Sequence, residues 1–147
     1  MNINDIETPA VVIDVDVLDR NLQAMAKYCT THNLSLRPHT KTHKMIEIAR
    51  LQLKDGAPGI TVAKLGEAEA MAEAGITDIV VVYPLWGESK WKRLAEVARR
   101  TRIAVAMDSL EVAEGISRAA KEADVEVGIR LEFDTGFHRC GLPLDKN

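Results

Sequence analysis

Short β-branched runs alternate along the chain with longer stretches in which apolar residues recur every three or four positions. The first run, residues 10–15 (AVVIDV), follows Thr8-Pro9 and reads as a strand. From about residue 16 to 32, Leu18, Leu22, Met25 and Cys29 fall on one stripe, which predicts a helix. Residues 34–39 read as the next strand. A helix over 42–54 follows, with Met45, Ile48, Ala49 and Leu51 or Leu53 inward; Asp55-Gly56 and Pro58-Gly59 end it. Residues 60–63 read as a strand, and Leu65, Ala68, Met71 and Ala72 line a helix stopped by Gly75. Residues 78–83 (DIVVVY) form an apolar strand, followed by a helix lined by Trp91, Leu94, Ala95 and Ala98. After a strand at 103–107, Asp108 and Glu111 read as a capping box, with Leu110, Ala113, Ile116 and Ala120 inward. Residues 125–132 are the last predicted strand.

Beyond the first run the order is αβαβαβαβαβ. Strands joined through helices of this length must run parallel, because antiparallel neighbours need only tight turns. That leaves an open doubly wound sheet or a (β/α)₈ barrel. The chain supplies about five such strands, and its 147 residues are roughly 60% of a typical barrel of about 250 residues. Strand parity favours the barrel. Val125, Val127, Ile129 and Leu131 share one face, while Glu126, Gly128, Arg130, Glu132 and Asp134 share the other. Leu34 and Leu36 likewise oppose Ser35, Arg37, His39 and Lys41, and Ile103, Val105 and Met107 oppose Ala104, Ala106 and Asp108. An open sheet covered by helices on both faces would be apolar on both. A partial barrel accommodates the polar face, with Arg37, Arg130 and Glu132 as an ion-paired interior layer. The alternative places Glu126 and Arg130 in solvent on an edge strand.

Charge and composition narrow the class. The net charge of −3 gives no basic patch for nucleic acid. No window reaches the ~18 apolar residues of a membrane helix, and MNINDIETPA is not a secretory leader. Cys29 and Cys140 are far apart and form neither a metal spacing nor a disulfide framework. A reduced, cytoplasmic protein is the expectation.

The densest chemistry is Arg37-Pro38-His39-Thr40-Lys41-Thr42-His43-Lys44, at the C-terminal end of a strand, where parallel α/β folds keep their sites. A lysine among other cations is biased toward the neutral amine that attacks an aldehyde. The plain alternative is a solvated basic loop. Lys41, Lys44 and Lys64 compete. Lys44 falls within the predicted helix, Lys64 shares parity with Ile60 and Val62, and Lys41 shares parity with the polar face. A second stretch, Asp134-Thr135-Gly136-Phe137-His138-Arg139-Cys140-Gly141, also follows a strand, and Arg139 offers a fork of donors for a phenolate or carboxylate oxygen. Residues 61–69, Tyr83-Pro84 and Met107-Asp108-Ser109 lie at the same strand ends and also read as turns or caps. No metal motif, phosphate loop or serine nucleophile elbow occurs.

These motifs carry a resemblance. Glu7-Thr8-Pro9-Ala10-Val11-Val12-Ile13-Asp14 resembles the opening of the fold-type III pyridoxal 5′-phosphate (PLP) enzymes, the alanine-racemase-like barrels. The Arg37 to Lys44 stretch resembles the cofactor-lysine motif of their D-threonine aldolase and D-serine dehydratase branch. Residues 60–68 resemble its second strand and helix, and the Asp134 to Gly141 stretch resembles its arginine-bearing loop. The resemblance implies that Lys41 carries the cofactor as a Schiff base, that Arg139 lies near the phenolic oxygen of PLP, and that His39 flanks the cofactor. It implies a cytoplasmic lyase of small D-amino acids such as D-threonine or D-serine, by retro-aldol cleavage or dehydration, homodimeric at full length. It further implies that residues 1–15 give a strand to a second β-domain and 16–147 a truncated barrel. The last three barrel strands, the phosphate loops and the ligands of a divalent metal are then expected to lie outside this chain. By itself the chain is expected to bind PLP poorly and to be weakly active or inactive. The rival reading is a non-catalytic PLP-binding barrel of cofactor homeostasis.

Overall fold

Each apolar stripe has a helix beneath it in the computed structural model, which describes residues 2–144. The chain runs through α1 (Val15–Thr31), α2 (Ile46–Lys54), β1 (Ile60–Val62), α3 (Leu65–Glu73), β2 (Asp78–Val81), α4 (Glu88–Ala98), β3 (Arg102–Met107), α5 (Leu110–Ala123) and β4 (Gly128–Leu131). Two short strands, β5 (Phe133–Asp134) and β6 (Leu142–Pro143), pair in parallel around the loop between them. The main sheet has the order β1-β2-β3-β4, all parallel, with Ile60 beside Ile79, Ile79 beside Ile103, and Ala104 beside Gly128. Strand order equal to chain order, each step crossed by a helix, is how a (β/α) barrel is wound.

Alternation decides which side holds the core. Ile60, Val62, Ile79, Val81, Ile103 and Val105 are fully or almost fully buried and pack on Ala68, Met71, Leu94, Val112 and Ile116 of the covering helices. Each such side chain contributes about 1.5–3 kcal/mol of burial. The opposite parity carries Thr61, Asp78, Val80, Ala104, Ala106, Gly128 and Arg130. That small and polar inner face is the partial barrel foreseen from parity. A cavity of about 800 Å³ opens on it at the N-terminal ends of the strands, lined in part by Arg37, Asp78, Val80, Ala104 and Gly128.

Several boundaries differ from the sequence reading, each for a physical reason. Residues 10–14 join no ladder, Val11 is 95% exposed, and Val15 already begins α1, whose first turn is capped by the Asp14 carboxylate accepting from Val17 N–H at 3.0 Å. The 34–39 strand contracts to one parallel bridge between His39 and Thr61. Pro38 lacks an N–H and contributes only its carbonyl, which accepts from Thr61 N–H at 2.8 Å. The main sheet therefore has four strands and a bridge in place of five strands. The 42–54 helix starts at Ile46, because Thr40–Thr42 form a 3₁₀ turn and Lys44 takes a positive φ of 55°. Met25 is exposed. The last strand begins at Gly128, since Val125 N–H is engaged by the Ala120 carbonyl at the end of α5. The α5 cap is Ser109, whose hydroxyl accepts from Val112 N–H; Asp108 accepts instead from Gly141 N–H at 2.8 Å, and Leu110 is 75% exposed. In the interior layer Arg37 pairs with Asp78 at 2.7 Å, and Arg102 reaches the same carboxylate at 3.7 Å. Arg130 is exposed on edge strand β4, as the solvated alternative required.

Candidate active site

Lys41 sits at the middle of the 3₁₀ turn, exposed at the C-terminal end of the sheet. The turn is fastened on both sides. Thr40 is fully buried and its hydroxyl donates to the Thr61 carbonyl at 3.2 Å, while its own carbonyl accepts from His43 and Lys44 N–H at 3.2 and 2.7 Å. Pro38 and the His39–Thr61 bridge tie the entry to β1. Lys41 N–H donates to His39 Nδ1 at 3.2 Å. A neutral His39 thus carries its proton on Nε2. Burial, and next the positive charge of Lys41, hold the His39 imidazole below its ordinary range. Burial does the same to His43, whose Nδ1 accepts from Met45 N–H at 3.0 Å.

The three lysines separate by their partners. Lys44 forms an ion pair with Glu67, a buried carboxylate on the first turn of α3. The other oxygen of Glu67 accepts from Ala63 N–H at 2.8 Å. Burial alone would raise the Glu67 carboxyl, but the Lys44 bond and the Ala63 amide outweigh it and leave it below the usual carboxylate range. Lys64 is exposed just before α3; parity had turned it toward the helices, but it lies past the end of β1, where strand parity lapses. Among the described residues Lys41 has no carboxylate within ion-pair distance. Its free, exposed amine at the catalytic end of the sheet fits attachment of an aldehyde cofactor.

Arg139 lies elsewhere, on the loop between β5 and β6. Asp134 organises that loop: one carboxylate oxygen accepts from Gly136 and His138 N–H at 2.9 and 3.0 Å, and the other meets His138 Nδ1 at 3.0 Å. Those bonds, backbone ones first, hold the Asp134 carboxyl below its ordinary range. The Arg139 guanidinium stacks over the Phe137 ring at 5.2 Å. The structure brings Lys41 and His39 onto one turn, while Arg139 shares only the same end of the sheet. Sequence reasoning missed Glu67, Thr40 and Asp108 as organising groups. Glu67 lay inside the stretch flagged at 61–69, but nothing in local spacing announces a partner 23 residues away. Among the described residues no group of three His, Cys, Asp or Glu side chains is placed to hold a metal ion. The cavity of about 800 Å³ opens at the opposite end of the strands and contains none of the Lys41 turn.

Residues 13–147 match the family described as alanine racemase, N-terminal domain. The chain is 36% identical over 140 residues to a D-threonine aldolase of an Arthrobacter species, covering 95% of this chain and 37% of that protein. It is 34% identical to a D-threo-3-hydroxyaspartate dehydratase of Delftia sp. strain HT23, covering 95% and 37%. The crystal structure of D-threonine aldolase from Filomicrobium marinum superposes with a TM-score of 0.93 at 37% identity, covering 95% of this chain and 38% of that one. The chain thus spans a little over a third of the length of these relatives. It belongs to the alanine racemase N-terminal domain family.

Proposed function

We propose that this chain is the cofactor-lysine portion of a PLP-dependent lyase of D-hydroxyamino acids, with Lys41 holding the cofactor. The observation that carries this reading is the state of Lys41: exposed, without a carboxylate partner among the described residues, and mounted on a turn fastened at the catalytic end of a parallel sheet. The names of the relatives, an aldolase and a dehydratase of D-hydroxyamino acids, support the substrate class. When bound, PLP supplies an electron sink for charge developing on the substrate.

The chain's own residues then have distinct tasks. Thr40 and His39 orient the backbone that presents the Lys41 amine. His39, held neutral, keeps an Nε2–H donor beside the site without adding a charge. Arg139 offers donors suited to the phenolic oxygen of the cofactor, on a loop shaped by Asp134. The Lys41 amine would hold the cofactor and, when not bonded to it, would serve to move a proton at the site. Among the described residues no cluster of side chains fits a divalent metal. Residues 1–15 belong in this reading to a second β-domain, which accounts for the exposure of Val11 and Val12. The active unit is a cytoplasmic homodimer.

Titration with PLP tests the reading. The chain is expected to develop a protein-dependent absorbance band that is absent in Lys41→Ala. A band of equal strength in that variant would remove Lys41 from the role. Turnover of D-threonine or D-serine by the full-length protein separates an enzyme from a non-catalytic carrier.

A further inference from the structure

Two amines stand three residues apart on the same fastened turn, yet their surroundings differ. Lys44, its side chain 56% exposed, is paired with a buried carboxylate, whereas Lys41 has no carboxylate partner among the described residues. Glu67 is only 8% exposed, and its second oxygen is committed to the Ala63 amide. Lys44 also has a positive φ of 55°, and its side chain reaches Glu67 on α3. We propose that Glu67 sorts the two amines: it engages Lys44 as an ammonium and leaves Lys41 as the amine open to an aldehyde.

The inference rests on Lys41 being the cofactor lysine and adds the reason that Lys44 is not. Condensation of a lysine with an aldehyde needs the neutral amine: its lone pair forms the new C–N bond, and the carbonyl oxygen leaves as water. For Lys44 to react it must give up its proton and its ion pair, leaving Glu67 buried without a cation, which is unfavourable. Lys41 must also shed its proton, but among the described residues it breaks no ion pair in doing so. Glu67 is therefore a positioning residue, acting on the site through Lys44.

The test is a map of modified lysines. The purified chain is mixed with limiting PLP, reduced with borohydride so that hydride fixes each adduct as a secondary amine, digested, and analysed by mass spectrometry. Wild-type protein is expected to carry the label on Lys41, with Lys44 labelled at least about tenfold less, the penalty of stripping a buried carboxylate of its partner. Glu67→Gln is expected to raise the Lys44 label by about tenfold, and Lys44→Arg in that background to remove the new label. Equal labelling of the two lysines in wild type, or no rise in Glu67→Gln, overturns the sorting role. Label absent from Lys41 overturns the cofactor assignment instead, and the Lys44 comparison still decides the role of Glu67. If Glu67→Gln does not fold, trace acetylation of wild type in buffer and in urea replaces it. Lys44 is then expected to be less reactive than Lys41 when folded and equal to it when unfolded; equality in both states overturns the proposal.

Discussion

Gly59 is a position where one missing atom decides the geometry. A β-carbon there would collide with the Arg37 guanidinium and with the Asp78 carbonyl and β-carbon. Its absence lets Arg37 cross to Asp78 at 2.7 Å. Gly59→Ala is expected to lower stability by about 1–3 kcal/mol, as overpacking does, read as a drop in the urea midpoint at unchanged slope. The histidines make a second expectation. His39 and His43 titrate below their ordinary value of 6.5 in the folded chain. The unfolded chain then binds more protons as pH falls below 6.5, so stability declines through that window until the folded values are passed. The Glu67 contribution is lost only further down, as pH falls below the ordinary carboxylate value of 4.5 and through its lowered folded value. Melting temperature is expected to fall between pH 7.5 and 5.5 in wild type and to fall less in the His39→Gln/His43→Gln variant. An identical slope in both would assign the loss to other groups.

At the scale of elements, α4 and α5 pack through Trp91 and Gly115. The indole ring lies where a Gly115 β-carbon would stand, and its N–H donates to the Leu85 carbonyl at 2.8 Å, which fixes the ring. Gly115→Ala is expected to cost about 1–3 kcal/mol in thermal or urea unfolding, although alanine is the better helix former; a stabilised variant would mean that the ring yields. Helices were legible in sequence because a periodic stripe survives whatever it packs on: Leu65, Ala68, Met71 and Ala72 were read correctly and are buried. Strands were less so. A strand is defined by its ladder, and residues 34–39 have the composition of a strand but keep only the His39–Thr61 bridge. The site was half legible. The run from Arg37 to Lys44 announces itself, but Glu67 acts through a contact 23 residues distant, which no local pattern encodes.

Across the whole molecule, the sheet ends on a bare edge. Among the described residues β4 pairs only with β3, and Ile129 and Leu131 are about half exposed on it. An uncovered apolar edge invites pairing with another chain. The chain is expected to associate with rising concentration, and Ile129→Lys/Leu131→Lys to shift it toward the monomer in light scattering. Association unchanged by both lysines would place the contact elsewhere. The polar inner face was foreseen from parity, but its charge partner was not. Asp78 reads as the first residue of an apolar strand, and only the register that sets it beside Arg102 and beneath Arg37 shows its role.

The fastening of the Lys41 turn divides motion at the site by timescale. Moving the backbone means breaking the Thr40 and Pro38 bonds to β1 together, a local opening that belongs to microseconds or longer. The lysine stem rotates on its own in picoseconds to nanoseconds. The amine therefore sweeps its reach on the order of a thousand times or more for each excursion of the turn. In the role proposed for Lys41, the amine would need no gate to open, only a rotation of four carbons above a still floor.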